Sequence, residues 1–436
     1  MVETDAARVL VAGGGPAGMA TALFLIENGV PVLLLERGEG PHADPRAATY
    51  HPPTLEMLER SGVTAELHER GIVARSWQYR DRRAGLVAEF DLQILEGDTR
   101  YPYRLQCEQH KLVAMMERRV AASPLATILH GVEVVAVTQH AAGVEVAVMH
   151  ADGRSGRFGG RWLVGADGGR SVVRKSQDID FRGFTWPERF LVITTTFDFE
   201  PLGFAYSSYT MDPEEWTATF KVPGDGSGIW RCVFPTRPEE NDDELLDFER
   251  AKARLAAFVP ESREGRVIHT NLYAVHQRVA ATYRRGRVLL AGDAAHVNNP
   301  LGGMGLNFGI HDAHSLADCL GRIWRGESDA LLDRYDRQRR DVAERYLQAQ
   351  TISNKKTLEE RDPQRRTQQQ AEMRAMAADT AAARRYLLRT SMIEGLRAAA
   401  MIARRDWGGP SPRYNRPLDR KSTRLNSSHV SESRMP

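Results

Sequence analysis

The stretch Arg8-Val-Leu-Val-Ala-Gly-Gly-Gly-Pro-Ala-Gly18 joins a short apolar strand to a glycine-rich turn and the start of a helix. The turn follows the pattern G-x-G-x-x-G. Gly13 permits the tight turn, Gly15 lets the backbone approach a pyrophosphate, and Gly18 allows the helix and strand to pack closely. The helix N-terminus directs free N–H groups and a positive dipole end toward phosphates. This stretch therefore predicts a dinucleotide-binding unit.

The residues that follow support the same unit. A helix that ends at Asn28-Gly29 leads into a second apolar strand, Val32 to Leu35, and this order predicts a parallel strand pair with a crossover helix. Glu36 comes directly after the second strand, about twenty residues beyond the turn, where a carboxylate accepts hydrogen bonds from ribose hydroxyls. The motif alone does not separate NAD from FAD.

Two further segments resolve that ambiguity. The strand Arg287-Val-Leu-Leu-Ala ends in Gly292-Asp293, and Pro300-Leu-Gly-Gly-Met-Gly-Leu-Asn307 follows before another helix. A carboxylate at the C-terminal end of a parallel strand is well placed to hold a ligand hydroxyl. The glycines let the backbone pass close to a flat ring, and the helix dipole favours negative charge on that ring. The segment Leu163 to Ser171 has a similar order, a strand followed by Asp167-Gly168.

Together, the three segments resemble the fingerprints of the p-hydroxybenzoate-hydroxylase-like flavin monooxygenases, which are single-component, FAD-dependent aromatic hydroxylases. The resemblance runs from about Arg8 to Tyr346 and includes Gly309 and Asp312. It implies a set of FAD contacts made by Gly13, Gly15, Pro16, Ala17, Gly18, Glu36, Arg37, Arg46, Gln106, Asp167, Gly168, Asp293, Pro300, Gly305, Leu306 and Asn307.

The resemblance also implies individual roles. Asp293 would hold the ribitol chain, and Leu306 and Asn307 would present backbone N–H groups to the pyrimidine side of the flavin. The Pro300 carbonyl would lie beside the reacting edge, and Arg46 would lie near FAD and the incoming nicotinamide, so these two residues are assigned to catalysis. Met304 and His51 depart from the usual family pattern, which leaves the substrate pocket open.

The implied activity is a monooxygenase reaction. NADH or NADPH binds transiently and reduces FAD, dioxygen forms a flavin hydroperoxide, and a phenolic or related aromatic substrate receives one oxygen atom. The alternatives are another FAD-dependent oxidoreductase of the same superfamily and a non-catalytic FAD-binding redox sensor. The substrate, the choice between NADH and NADPH, and the catalytic base stay open.

A change in composition predicts a second structural region. Four β-rich segments, punctuated by Gly and Pro, follow one another at Phe190–Phe199, Phe204–Met211, Trp216–Val222 and Ile229–Phe234. The large aromatic residues of these segments are Tyr206, Tyr209, Trp216, Phe220 and Trp230. About half of these five are expected to cover the flavin or stack on a substrate, and the others to face solvent or the core.

The predicted fold is therefore α/β. A Rossmann-like FAD-binding domain (1–178 and 280–335) contains an inserted antiparallel β-sheet substrate domain (179–279), and a helical C-terminal region follows (336–415). Residues 420–436 lack apolar periodicity and are interpreted as a non-native tail.

Composition limits the other possibilities. Hydrophobic residues make up 42% of the chain, charged residues 27%, and the formal net charge is +2, as expected for a soluble enzyme without a nucleic-acid partner. The three cysteines have neither metal-ligand nor disulfide spacing, which favours a cytoplasmic protein. No segment is predicted to span a membrane, His311 and His314 are expected at the surface rather than on a metal, and a homodimer is possible.

Overall fold

The computed structural model describes residues 2–4, 8–40, 47–226 and 228–405. The elements of the first part alternate between short strands and helices. The strands are β1 (Val2–Thr4), β2 (Val9–Ala12), β3 (Val32–Leu35), β4 (Thr49–Tyr50), β5 (Ile72–Ala74), β6 (Ser76–Asp81), β7 (Gly85–Asp91), β8 (Arg104–Gln106), β9 (Ala126–Leu129), β10 (Val132–Gln139), β11 (Val144–His150), β12 (Ser155–Gly160) and β13 (Trp162–Gly165). The helices are α1 (Pro16–Glu27), α2 (Pro52–Met57), α3 (Val63–Arg70), α4 (Gln109–Ala121) and α5 (Val172–Ser176).

The second part begins with long strands and ends in helices. Its strands are β14 (Phe181–Thr195), β15 (Ser207–Met211), β16 (Thr217–Val222), β17 (Ile229–Pro235), β18 (Val267–Ala280), β19 (Arg284–Arg285), β20 (Val288–Leu290) and β21 (His296–Val297). Its helices are α6 (Asp242–Leu246), α7 (Phe248–Phe258), α8 (Gly305–Trp324), α9 (Ala330–Val342), α10 (Ala349–Leu358), α11 (Pro363–Ala378), α12 (Thr380–Thr390) and α13 (Ile393–Arg405).

A six-stranded sheet, in the order β19-β20-β13-β2-β3-β9, forms the dinucleotide-binding core. All neighbours in it pair in parallel except β19 with β20. The strands β2 and β3 are buried along their whole length, which explains their continuous apolar sequence. The predicted parallel pair and its crossover helix α1 are confirmed, and α1 packs against α8.

A mixed eight-stranded sheet, in the order β21-β18-β14-β17-β16-β15-β6-β7, forms the second layer. The predicted β-rich region is confirmed as β14 to β17, which pair antiparallel within this sheet. The sheet also includes β6 and β7, and β15 pairs with β6 in parallel. These two strands come from the part of the sequence assigned to the FAD-binding domain, so strand pairing crosses the expected boundary. The division into domains stays a prediction.

The C-terminal region is helical, as predicted. The break at Asp362-Pro363 separates α10 from α11, because the Asp362 side chain accepts hydrogen bonds from two backbone N–H groups and caps α11. Helices α10 and α12 pack near the eight-stranded sheet. The end of the predicted region (406–415) and the tail (420–436) lie outside the described residues. None of the described helices combines the length and the apolar character needed to cross a bilayer.

Candidate active site

The glycine turn has the geometry that its motif predicts. Gly13 has a φ of 102°, and a Cβ there would lie 2.5 Å from the Ala166 carbonyl oxygen. A Cβ on Gly18 would overlap the Gly13 carbonyl oxygen. At Gly15, by contrast, a Cβ would meet no atom within 4 Å. The turn is therefore tightly packed on its protein side and open in front of the α1 N-terminus, where a phosphate group would bind.

Carboxylates lie around this turn, at the C-terminal ends of adjacent strands. Glu36 follows β3 and accepts hydrogen bonds from the Gly14 and Gly38 N–H groups. Asp167 follows β13, and its Oδ2 accepts from Val173 N–H, whereas its buried Oδ1 has no partner among the described residues. Asp293, in the short turn after β20, has an exposed side chain although both neighbouring residues are buried. The topology thus brings the three fingerprint segments to one edge of the sheet.

The asparagine at the end of the Pro300–Asn307 stretch holds the glycine loop in place. The buried Asn307 amide nitrogen donates to the carbonyls of Thr49 (2.8 Å) and Gly303 (2.7 Å), and its oxygen accepts from His51 N–H (3.0 Å) and the Thr54 hydroxyl (2.7 Å). The sequence prediction assigned only a backbone N–H to this residue and missed the role of the side chain. Asn307 fixes the Pro300–Gly305 loop against the segment that precedes α2.

The predicted FAD contact Gln106 lies beside the same segment. Its Oε1 accepts a hydrogen bond from the Thr49 hydroxyl at 2.7 Å, and its buried Nε2 has no partner among the described residues. The remaining assigned positions are distributed along the same edge: Pro16 and Ala17 begin α1, Gly168 has a φ of 80°, and Gly305 and Leu306 begin α8. Arg37 is exposed, and Arg46 lies outside the described residues.

A buried ionic network supports the turn that carries Asp293. Asp312 accepts hydrogen bonds from His296 Nε2–H (2.7 Å), Gly292 N–H (3.1 Å) and Arg339 Nε–H (2.6 Å). Burial opposes ionisation of Asp312, but Arg339 and His296 outweigh it and lower the pKa of this carboxyl. His296 thus helps to fix Asp312, which in turn holds the backbone of the turn at Gly292.

The prediction that His311 lies at the surface is wrong. His311 is 1% exposed and hydrogen-bonds to the Thr54 hydroxyl at 2.9 Å. Helix α8 is buried on most of its circumference, between α1 on one side and α9 on the other, so polar residues on it face other elements instead of solvent. His314 is exposed, as expected. Among the described residues, no group of three His, Cys, Asp or Glu side chains could hold a metal ion.

An aromatic pocket lies next to the glycine loop. Its wall combines the loop with β6, β8, β15 and the helices α10 and α12, through residues that are far apart in the sequence. The lining residues are Trp77, Tyr79, Arg104, Tyr209, Gly302, Met304, Gln350, Asn354, Leu358, Tyr386 and Thr390. Asn354 donates to the Leu301 carbonyl at 3.1 Å, and this bond fastens the loop to α10.

About half of the five aromatic residues were expected to cover the flavin or stack on a substrate, and one of the five lines this pocket. Tyr209 lines the pocket, whereas Trp216 packs on Phe190 in the core and Trp230 donates to Asp198 on the other side of the sheet. Phe220 is half-buried against the Tyr209 ring, and the Tyr206 hydroxyl donates to Glu200. The other aromatic residues of the pocket come from β6 and α12, which the prediction did not consider.

The lining of the pocket contains one charged side chain, the buried cation Arg104. Arg104 is 2% exposed, and its Cζ lies 5.0 Å from the Trp77 ring centroid. Neighbouring His51 donates from Nε2–H to the Gly302 carbonyl at 2.9 Å. Burial, followed by the charge of Arg104, lowers the pKa of His51 to about 3, so this imidazole is neutral at physiological pH.

The arrangement fits FAD. The open space before Gly15 suits a pyrophosphate, and the unpartnered polar atoms of Gln106 and Asp167 are buried hydrogen-bonding groups that a ligand would satisfy. Bound FAD would supply the electron-transfer and oxygen-transfer chemistry that side chains lack.

Comparison with known proteins agrees with this site. Residues 6–350 match the family described as FAD binding domain. The chain is 36% identical over 392 residues to para-nitrophenol 4-monooxygenase of Pseudomonas sp. strain WBC-3, which covers 89% of this chain and 96% of the relative. It is 34% identical over 339 residues to 6-hydroxy-3-succinoylpyridine 3-monooxygenase HspB of Pseudomonas putida strain S16, covering 76% and 84% of the two chains.

A solved structure is similar over nearly its whole length. The crystal structure of p-nitrophenol 4-monooxygenase PnpA from Pseudomonas putida DLL-E4 superimposes with a TM-score of 0.85 at 33% identity, covering 90% of this chain and 98% of that one. These matches identify the chain as an FAD-dependent aromatic monooxygenase that uses dioxygen and NAD(P)H. The chain belongs to the FAD binding domain family, whose match covers most of its length.

The exposed carboxylate after β20 provides a test of the cofactor site. We expect Asp293→Ala to weaken FAD retention about ten- to a hundredfold, because a hydrogen bond from a charged group contributes about 1.5–3 kcal/mol. The dissociation constant of FAD is measured by fluorescence titration of the apoprotein. Since the side chain is exposed, the apoprotein should still fold, and thermal unfolding checks this. FAD affinity equal to that of the parent would exclude Asp293 as a ligand.

Proposed function

We propose that the enzyme hydroxylates a small, single-ring phenol that binds in the aromatic pocket. The observation that supports this most strongly is the composition of the pocket wall. One side is the glycine loop at Gly302 and Met304, where the family resemblance places the reacting edge of the flavin, and the facing side carries Trp77, Tyr79 and Tyr386. The cavity between these side chains is only about 10 Å³, so they would move apart to admit a ring and then hold it against the loop.

The protein's own residues would position the ring and exclude water from it. The apolar lining side chains come from two buried clusters, and α10 and α12 form part of the pocket wall. Exclusion of water protects reactive intermediates and strengthens the electrostatic interactions inside the site. The carbonyl of Pro300 accepts a hydrogen bond from Gly303 N–H at 2.9 Å, which holds the loop in a turn. We also propose that Pro300 and Arg46 take part in catalysis, Pro300 through its carbonyl beside the reacting edge of the flavin and Arg46 near FAD and the nicotinamide.

Two of the matched proteins are named for p-nitrophenol, which makes 4-nitrophenol the first compound to test. We expect a suitable phenol to accelerate NAD(P)H oxidation and to acquire one oxygen atom from dioxygen. The measurement uses labelled dioxygen and mass spectrometry of the product, with hydrogen peroxide release as the control for uncoupled turnover. If no compound in a broad panel of phenols acquires the label and NAD(P)H oxidation stays at its basal rate, a small phenol is not the substrate of this enzyme.

We also propose a cellular setting and an oligomeric state for the enzyme. It would act in the cytoplasm, where NAD(P)H is available, on small molecules and without a nucleic-acid partner. Pairing into a homodimer is a further part of the proposal, and size-exclusion chromatography with light scattering measures it directly.

A further inference from the structure

The aromatic pocket holds a buried cation without a buried anion. Among the described residues, no carboxylate forms an ion pair with Arg104. The Tyr209 hydroxyl lies beside its guanidinium, but the Nε and Nη1 atoms have no hydrogen-bond partner. An arginine stays protonated in proteins, and burying its charge costs several kcal/mol unless an anion compensates it. Because Arg104 costs the fold free energy when no anion is nearby, its presence here indicates that a negatively charged ligand binds beside it.

The groups that face Arg104 are hydroxyls and an imidazole, not carboxylates. The tyrosine hydroxyls come from three different elements, those of Tyr79 on β6, Tyr209 on β15 and Tyr386 on α12, and His51 approaches from the segment before α2. Burial raises the pKa of Tyr79 well above its usual range and that of Tyr386 to about 12. None of these groups supplies the missing negative charge.

The lining of the pocket also lacks a base. It contains no Asp, Glu, His, Lys or Cys side chain. His51, behind the lining, is a weak base because its pKa is about 3. A phenol that enters this pocket has no carboxylate or imidazole there to accept its proton, whereas a phenolate would bring the negative charge that Arg104 lacks.

We propose that Arg104 binds the ionised oxygen of the aromatic substrate, so that the enzyme selects acidic phenols that lose their proton to water before they bind. This inference rests on the proposed function, because it names the substrate class for the same pocket. Electron-withdrawing substituents, such as nitro groups and halogens, lower the pKa of a phenol. Selection of the phenolate would also present the ring in its more electron-rich form without a proton transfer inside the protein.

The test measures binding to the oxidised, FAD-loaded enzyme between about pH 6 and pH 9. Dissociation constants for 4-nitrophenol, 4-chlorophenol and phenol are obtained from changes in flavin absorbance. We expect the affinity for each compound to follow its ionised fraction, rising about tenfold per pH unit below the pKa of that phenol. A pH profile common to all three compounds would overturn the proposal, since it would assign the titration to the protein.

Variants of Arg104 test the residue itself. Arg104→Met should weaken 4-nitrophenol binding about ten- to a hundredfold and remove the pH dependence, and Arg104→Lys should restore part of both. Arg384→Met is the matched control, because Arg384 lies on α12 but is half-exposed and pairs with Asp98 outside the pocket. It should bind 4-nitrophenol like the parent.

A stability measurement separates ligand binding from a structural role. If Arg104 serves the substrate, Arg104→Met should retain FAD and keep or raise the unfolding temperature, because it removes an uncompensated buried charge. A lower unfolding temperature with unchanged phenol affinity would overturn the proposal. If Arg104→Met affects only the binding of 4-hydroxybenzoate, Arg104 recognises a ring carboxylate, and the phenolate proposal is also overturned. The proposed function fails separately, when the parent enzyme transfers no labelled oxygen.

Discussion

Replacing Asp312 by alanine is expected to destabilise the folded protein by about 3–5 kcal/mol, because the change leaves the guanidinium of Arg339 buried without its partner. The same carboxylate accepts hydrogen bonds from His296 and from Gly292 N–H, so three donors lose their acceptor together. Thermal unfolding of parent and variant, each with and without added FAD, measures the loss. The variant should also retain less FAD, since the network supports the turn that carries Asp293.

Acid provides a second readout of the same network. The folded pKa of Asp312 is lowered, so its contribution to stability is fully present above the unfolded value of about 3.9 and is lost as the pH falls toward the folded pKa. The difference in unfolding temperature between parent and Asp312→Ala should therefore shrink below about pH 4. The control is Glu327→Ala, which removes an exposed ion pair with Arg322 near the end of α8 and should change the unfolding temperature little. Equal losses for the two variants would contradict the assignment.

The local parts of the site could be predicted from the sequence because each is one strand, one turn and one helix. In the segment from Arg8 to Gly18, strand, turn and helix are contiguous, and the positive φ of Gly13 and the contact between Gly18 and the Gly13 carbonyl are local, although Ala166 on a distant part of the chain also restricts both positions. The convergence of the three segments follows from parallel strand order, which places strand C-termini at one edge. These are the features that the structure confirms.

The substrate pocket could not be predicted in the same way. It joins Tyr79, Tyr209 and Tyr386, which lie on elements whose contact depends on how the eight-stranded sheet pairs and where the C-terminal helices dock. No spacing in the sequence links these three tyrosines. Among the other lining residues, Arg104 could have been found from the sequence, because it lies two residues before Gln106 on β8 and alternate residues of a strand point to the same face. The prediction of Gln106 as an FAD contact could therefore have drawn attention to Arg104.

The glycine turn offers the sharpest test of the cofactor site, because a side chain at Gly18 would collide with the protein, whereas one at Gly15 would collide only with a bound ligand. We expect Gly18→Ala to lower both FAD content and the unfolding temperature of the apoprotein. Its Cβ would overlap the Gly13 carbonyl oxygen and lie 3.3 Å from Ala166 Cβ, so α1 would have to move away from the strands. Overpacking of this kind costs about 1–3 kcal/mol. The movement would also displace the N–H groups that face the pyrophosphate.

Gly15→Ala should separate cofactor binding from folding. The new methyl group meets no protein atom within 4 Å, and Gly15 has an ordinary φ of −67°, so the apoprotein should unfold at the parent temperature. The methyl would occupy the space in front of α1, and we expect FAD to be lost during purification. Gly97→Ala, at an exposed glycine with open surroundings, controls for the substitution itself and should behave like the parent in both measurements. If Gly15→Ala purifies with a full equivalent of FAD, the pyrophosphate does not lie at this turn, and the assignment of the dinucleotide site to Gly13–Gly18 is wrong.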